Sequence, residues 1–319
     1  MLIFATDHFV LPLPAGHRFP MRKYAQLRER VRAVAPHCMR VPPAATDDEL
    51  ANAHDRAYIA AVSTGSIDAR AMRRIGFPWS PAMVERSRRS AGATLAACRS
   101  ALAYGAGVNL AGGTHHAHRG FGEGFCVFND AAVATRTLKC EGVVQRVLIV
   151  DLDVHQGDGT AAILAGDDDV HTLSLHGRNN FPFRKAASCQ DVELDDRTSD
   201  TAYLATLRVA FPLAIERSDA DLAIYLAGAD PYEHDRLGRL ALTKAGLAMR
   251  DAYVLDTLRG AGIPVAITMA GGYAEDIDDV VDIHFATVRA ALERFGDSPV
   301  LDSPDASAPL GTAMHATSG

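Results

Sequence analysis

Paired cysteines are missing from this chain. Its five cysteines (Cys38, Cys98, Cys126, Cys140 and Cys189) are odd in number and never fall as Cys-x-x-Cys, which suits reduced, intracellular thiols better than a disulfide framework. Basic runs are missing too, and the formal net charge is -7, so no nucleic-acid partner is expected. The clusters Arg70, Arg73, Arg74 and Arg86, Arg88, Arg89 read as solvated faces or a mildly basic rim. No apolar run reaches bilayer length, and Met1-Leu2-Ile3-Phe4 is followed at once by Asp7 and His8, so neither a membrane span nor a secretory signal is expected. The absence of a Gly-x-Ser-x-Gly elbow argues against a serine hydrolase. Gly105-x-Gly107 lacks the dinucleotide spacing, and the glycines from Gly120 to Gly124 have no lysine or threonine to make a phosphate loop. No repeat and no strong linker divides the 319 residues, which favours one domain. With 48% hydrophobic and 22% charged residues, a cytoplasmic enzyme with a substantial core is expected.

What is present organises itself around Val147-Leu148-Ile149-Val150-Asp151-Leu152-Asp153-Val154-His155-Gln156-Gly157-Asp158-Gly159. Four apolar residues read as a buried strand. Strict alternation follows, and in extended backbone residues i, i+2 and i+4 point to one face. Asp151, Asp153 and His155 would then project together while Leu152 and Val154 enter the core. Burying such a row is costly unless its charge is compensated. A divalent cation is the simplest compensation, and Asp-x-His offers oxygen and nitrogen suited to zinc.

The rest of the chain alternates strands and helices. Strands are expected at 1–4, 108–111, 147–153, 170–176, 222–228 and 265–270. Helices are expected near 21–33, from Pro81 (capped by Ser80) to Gly105 or Gly107, from Asn129 or Asp130, and near 199–211, 243–258 and 276–295. Asp47 and Asp48 start a further segment toward Tyr58 and Val62. This rhythm predicts an α/β fold, a single domain with a mostly parallel central sheet and helices on both faces. The domain would span residues 1–295, and the Ser-, Pro- and Ala-rich residues 296–319 would form a mobile tail.

Ligands of such sheets bind beyond the carboxyl ends of the strands. Four of these ends carry the conspicuous polar residues: Gly112-Gly113-Thr114-His115-His116, Asp153-Val154-His155, Ala229-Asp230-Pro231 and Gly271-Gly272-Tyr273. Asp230 would add a third ligand to Asp153 and His155, and three protein ligands with an open position is the catalytic arrangement of zinc. Paired imidazoles at His115 and His116 offer proton transfer near neutral pH. Asp151 and Asp158 exceed what one metal needs, and each could orient a histidine. Tyr273 could donate a hydrogen bond to a polarised carbonyl.

Together with Gly122-Glu123-Gly124-Phe125-Cys126-Val127-Phe128-Asn129-Asp130 and Ser174-Leu175-His176, these pieces resemble, in order, the motifs of the histone deacetylase family, of the arginase-deacetylase fold. Gln156, the run from Asp235 to Leu240 and the segment Gly16–Tyr24 look most like the class IV branch and its bacterial relatives. The resemblance implies a metal-dependent deacylase acting on acyl-lysine or a related acylated amine. It implies zinc, or ferrous iron in some members, on Asp153, His155 and Asp230. His116 would be general base and acid with Asp158 behind it, His115 an electrostatic partner backed by Asp151, and Tyr273 the group that polarises the scissile carbonyl. Phe125 and Phe181 would wall the acyl-lysine tunnel, with Gly124 lending its carbonyl, and backbone oxygens near Asp151 and Ser174 would bind a structural potassium ion. Phe181-Pro182-Phe183 departs from the family at the tunnel mouth. Leu237 puts an apolar residue near the place where polyamine-selective relatives carry an acidic gatekeeper, although Asp235 and Glu233 stand close by.

Two readings compete. An arginase-like ureohydrolase would need carboxylates for a second metal, and Asp230 is followed by Pro231-Tyr232 instead of an Asp-x-Asp pair. A non-catalytic acyl-lysine binding module would be expected to lose a ligand or the tyrosine, and none is missing.

Overall fold

Residues 1–296 are described by a computed structural model; apart from Gly296, the expected tail lies outside the described residues. The first half of the chain runs β1 (Leu2–Phe4), α1 (Arg22–Val34), β2 (Met39–Arg40), α2 (Asp47–Ala51), α3 (Arg56–Thr64), α4 (Ala69–Ile75), α5 (Pro81–Tyr104), β3 (Ala106–Asn109) and α6 (Asp130–Cys140). The second half runs β4 (Val147–Asp151), α7 (Asp158–Leu164), β5 (Val170–Gly177), β6 (Gln190–Leu194), α8 (Asp200–Ser218), β7 (Leu222–Leu226), α9 (Lys244–Gly260), β8 (Val265–Thr268) and α10 (Ile277–Phe295). The strands form one eight-stranded sheet in the order β2-β1-β3-β8-β7-β4-β5-β6. Every pairing is parallel, as the alternating pattern requires.

Side-chain alternation along the strands splits the core into two layers. Leu148 and Val150 of β4 and Tyr225 of β7 enter the layer beneath α8, α9 and α10. Ile149 and Ile224 enter the opposite layer with α5 and α6. Helix α5 starts and stops as its sequence dictates: Ser80 Oγ accepts from the Met83 amide, Pro81 takes the first turn, and Gly105 closes it at φ 84°. Helix α8 continues past Phe211 to Ser218, through Pro212. Phe211 and Ala214 keep its apolar stripe buried while the proline ring lies on the exposed face, where water can serve the carbonyl that proline leaves unpaired.

Four departures from the sequence reading matter for the site. Strand β4 stops at Asp151, and residues 153–155 form a bend, so Asp153 and His155 sit on a loop and not on the face of a strand. The segment from Asp47 to Val62 is two helices, α2 and α3, the first opened by a capping box between Thr46 and Glu49. Helices α4 and α7 were not anticipated because each is only seven residues long, too short for a periodic signal. Strands β2 and β6 were missed because they form the two edges, where short or charged strands are the rule.

Candidate active site

The four polar groups lie at the ends of β3, β8, β7 and β4, which are consecutive in the sheet. Their last residues are in register, Asn109 with Thr268, Thr268 with Leu226, and Leu226 with Asp151. The loops therefore leave at one level and meet. Beyond β4, backbone amides hold the carboxylates: His155 N donates to Asp153 Oδ1 at 2.9 Å, Gly271 N to Asp153 Oδ2 at 2.7 Å, and Val154 N to Asp230 Oδ1 at 3.0 Å. His155 Nδ1 lies 3.0 Å from Asp153 Oδ1 and 3.3 Å from Asp230 Oδ2. Ligand atoms of these three buried residues fall within 4.8 Å of one another. Burial and the neighbouring Asp153 charge push Asp230 above the usual carboxylate range. Burial opposes a charge on His155, but Asp153 and Asp230 outweigh it and raise the imidazole.

The residues fit a metal. Asp230 Oδ2 is buried without a hydrogen-bond donor, which is costly unless a cation faces it. A side chain at Gly271 would collide with that same oxygen, so the glycine keeps the space in front of it clear. The set of two carboxylates and an imidazole suits zinc.

The His115-His116 loop is shaped by Gly112 (φ 81°) and Gly113 (φ 72°), left-handed conformations that favour glycine. Asp130 fixes it: its carboxylate accepts from Gly113 N at 3.0 Å, Thr114 N at 2.7 Å and the hydroxyl of Thr94 at 2.6 Å. His115 Nδ1 sits 2.8 Å from Asp151 Oδ2, and His116 Nδ1 sits 2.7 Å from Asp158 Oδ1. The two rings are 4.2 Å apart, yet their protons differ. For His115, burial is outweighed by Asp151 and Asp153, and the imidazole is raised to about 9. For His116, burial and the charge of His115 lower it to about 4. One ring is held charged and the other neutral, which is how adjacent groups acquire separate acid–base tasks.

Gly157 and Gly159 act by keeping space clear. Neither has a positive φ, but a side chain at Gly157 would strike Asp151 Oδ2 and one at Gly159 would strike the Ala117 carbonyl. A cavity of about 320 Å³ leads to the site, walled by Gly124, Phe125, Phe181, Leu237 and Tyr273. A Cβ at Gly124 would lie 2.8 Å from His116 Cδ2, so glycine is needed there. Phe125 stands 6.0 Å from the Tyr273 ring and Phe181 4.8 Å from His116. Phe183 is 86% exposed and stays off this wall. Asp235 is no gatekeeper: its carboxylate accepts from the amides of Leu237, Gly238 and Tyr273 at 2.8, 2.9 and 2.6 Å, and so positions the tyrosine loop. Burial holds the Tyr273 phenol well above its ordinary pKa, so it stays a donor.

Sequence reasoning missed several supports. Arg250 donates to the carbonyls of Leu152 and Gly228, next to the candidate ligands. Gln156 braces the loop at Ala186 and Asp191. His118 takes the second oxygen of Asp158 at 3.1 Å. None carries a local pattern, since each acts through partners distant in sequence. His54 has a structural role. Its Nε2 accepts from Asn129 N at 2.9 Å and its Nδ1 donates to the His118 carbonyl at 2.9 Å. This needs the neutral ring, and burial lowers His54 to about 4. The unfolded chain takes up this proton first, from about pH 6.5 downward. Stability from His54 is thus intact above that pH and is lost as pH falls toward 4, by about 3 kcal/mol. Urea unfolding should show the stability gap between wild type and His54→Gln closing by about that amount from pH 7 to 4; a constant gap would remove His54 from the acid response.

Among the described residues, no helix is long and apolar enough to cross a membrane, and all five cysteines are free thiols. A protein of unassigned role from Picosynechococcus sp. is 42% identical over 288 residues, covering 89% of this chain and 96% of its own. The histone deacetylase-like amidohydrolase of Pseudomonas aeruginosa is 31% identical over 254 residues, 74% of this chain and 66% of that one. The acetoin utilization protein AcuC of Bacillus subtilis is 31% identical over 224 residues, with 63% and 58% covered. The match to histone deacetylase 2 of Arabidopsis thaliana spans about half (51%) of that protein's length. The crystal structure of the HDA15 HD domain superposes with a TM-score of 0.77 over 92% of this chain, at 21% identity, which places the eight-stranded parallel sheet in the arginase-deacetylase fold. The histone deacetylase domain family matches residues 17–288, a span that contains every residue of the site just described, and the chain therefore belongs to the histone deacetylase family.

Proposed function

We propose that this protein is a zinc-dependent deacylase that hydrolyses the amide of an acyl-lysine or a related acylated amine. The observation that carries the reading is the buried Asp153, His155 and Asp230 triad beside two histidines with opposed protonation. Asp153, His155 and Asp230 would hold the ion, zinc or alternatively ferrous iron. Bound there, it would lower the pKa of a water and polarise the amide carbonyl. His116, held neutral, takes a proton from the attacking water and returns it to the leaving amine. Asp158 fixes the His116 tautomer, and the His115–Asp151 pair keeps a positive charge beside it. The Tyr273 hydroxyl donates to the developing oxyanion. Phe125 and Phe181 flank the acyl-lysine chain, with Gly124 and Leu237 completing the wall. A structural potassium ion would sit on backbone oxygens near Asp151 and Ser174, which are paired in register. Gln156 and the run from Asp235 to Leu240 support a class IV placement, and the free thiols suit a cytoplasmic setting.

A di-metal ureohydrolase would need a ligand shared by two ions. A second group able to hold a cation, His118, Glu123 and Asp158, has no residue in common with the first. The deacylase reading is tested with metal-loaded protein on one lysine peptide bearing acetyl, octanoyl or myristoyl groups, with acetylspermidine alongside. Turnover on at least one acyl-lysine, reduced about 100-fold in a folded, metal-bound Tyr273→Phe variant, is the expected result. Metal bound without turnover on any substrate would overturn the reading, and undiminished turnover of the variant would overturn the role of the tyrosine.

A further inference from the structure

The tunnel mouth opens onto a second depression of about 420 Å³, lined by Gly16, His17, Arg18, Arg73, Arg74 and the end of α4 up to Phe125, with no carboxylate among its residues. Arg18 and Arg74 line both this depression and the tunnel. The arginines are held against the tunnel wall by backbone. The carbonyls of Arg74 and Ile75, at the end of α4, accept from Gly124 N at 3.2 Å and Phe125 N at 2.8 Å. Opposite them, His17 Nε2 donates to the Gly76 carbonyl at 2.9 Å and His17 Nδ1 accepts from Phe19 N at 3.1 Å, which docks the loop that carries Arg18.

The guanidinium groups themselves are free. Arg28, Arg88, Arg89 and Arg99 each face a carboxylate, but among the described residues no ion pair and no side-chain hydrogen bond involves Arg18, Arg73 or Arg74. Arg74 lies 4.7 Å over the Phe121 ring, a contact that orients the planar head and leaves its N–H donors unused. Glu123, the one acidic side chain at the rim of the tunnel, has its carboxylate within 4.8 Å of His118 and Asp158; it feels the charge of Arg74 but forms no ion pair with it, so one carboxylate stands against three arginines. A chain of net charge -7 thus presents a concentrated positive field beside its active site.

We propose that this depression receives an anionic group carried by the substrate next to its acylated amine: a carboxylate, supplied either by acidic residues flanking an acyl-lysine or by the α-carboxylate of free acyl-lysine. The proposal rests on the deacylase reading and narrows it. Unpaired guanidinium groups bind carboxylates by two parallel N–H bonds and repel cations, so acetylated polyamines are selected against.

The test compares kcat and KM for one acyl-lysine peptide flanked by aspartate, serine or lysine, for free Nε-acyl-lysine, and for acetylspermidine. Aspartate flanks should lower KM about tenfold relative to serine, and lysine flanks should raise it. The preference should shrink at high salt and collapse in Arg18→Gln/Arg74→Gln, whose altered side chains are exposed and form no ion pair, so folding is kept. A low KM for free acyl-lysine would name the α-carboxylate as the source, and a low KM only for the acidic peptide would name the flanks. Turnover with equal KM for all three flanks, or a preference for lysine flanks or acetylspermidine, would overturn this inference and leave the deacylase reading standing. No turnover on any substrate would instead sink the deacylase reading, and this inference with it.

Discussion

Replacing His116 with alanine should lower kcat by roughly 100- to 10,000-fold, the range of a lost general base, with the metal still bound. Two adjacent histidines compete for this role, and their surroundings separate them. His115 shares a proton with Asp151 at 2.8 Å and is raised to about 9, so near neutral pH it has no free lone pair to offer. His116 is lowered to about 4 and anchored through Nδ1 to Asp158, which leaves Nε2 as the basic atom. The ring also lies 5.8 Å from that of His155, within reach of a water held between them. Metal content measured beside initial rates separates lost chemistry from lost metal, and added imidazole should restore part of the rate. A larger loss in His115→Ala than in His116→Ala would reverse the assignment.

Much of the site could be read from the sequence because its chemistry is local. Asp-x-Asp-x-His and the His115-His116 pair are contiguous, and a parallel sheet brings strand ends together whatever the details of its loops. The geometry behind the pattern was less readable. Asp153 and His155 meet because the chain bends after Asp151 under the pull of backbone amides, not because a strand alternates. The supports were invisible for a related reason. Asp130 looked like a helix start, and it does open α6, but its carboxylate is spent on Gly113, Thr114 and Thr94 across two other elements. The arginines of α4 read as a solvated face, and only the docking of that short helix on Phe125 sets them at the tunnel mouth.

Replacing Arg250 with methionine should destabilise the protein by about 3–5 kcal/mol, the cost of leaving one member of a buried ion pair alone. Arg250 is fully buried in the interior of α9, where no sequence pattern announces a charge. Its Nε donates to Asp251 Oδ1 at 2.8 Å, and the Asp251 charge outweighs burial to hold the guanidinium charged. The same head donates to the carbonyls of Gly228 at 2.7 Å and Leu152 at 3.2 Å. Leu152 immediately precedes Asp153, and Gly228 lies two residues before Asp230, so one cation steadies the backbone behind two of the proposed ligands. Methionine would fill much of the volume but strand Asp251, leaving it the hydroxyls of Tyr225 and Thr287 alone. Metal affinity should fall about 10- to 100-fold as the two backbones loosen. Urea unfolding and metal titration of Arg250→Met check both effects. The double variant Arg250→Met/Asp251→Leu should recover part of the stability, because no unpaired charge remains although the buried Tyr225 and Thr287 hydroxyls lose their acceptor, but not the metal affinity, because the two carbonyls stay unsupported. A single variant within about 1 kcal/mol of wild type would show that the pair is not what holds this part of the core.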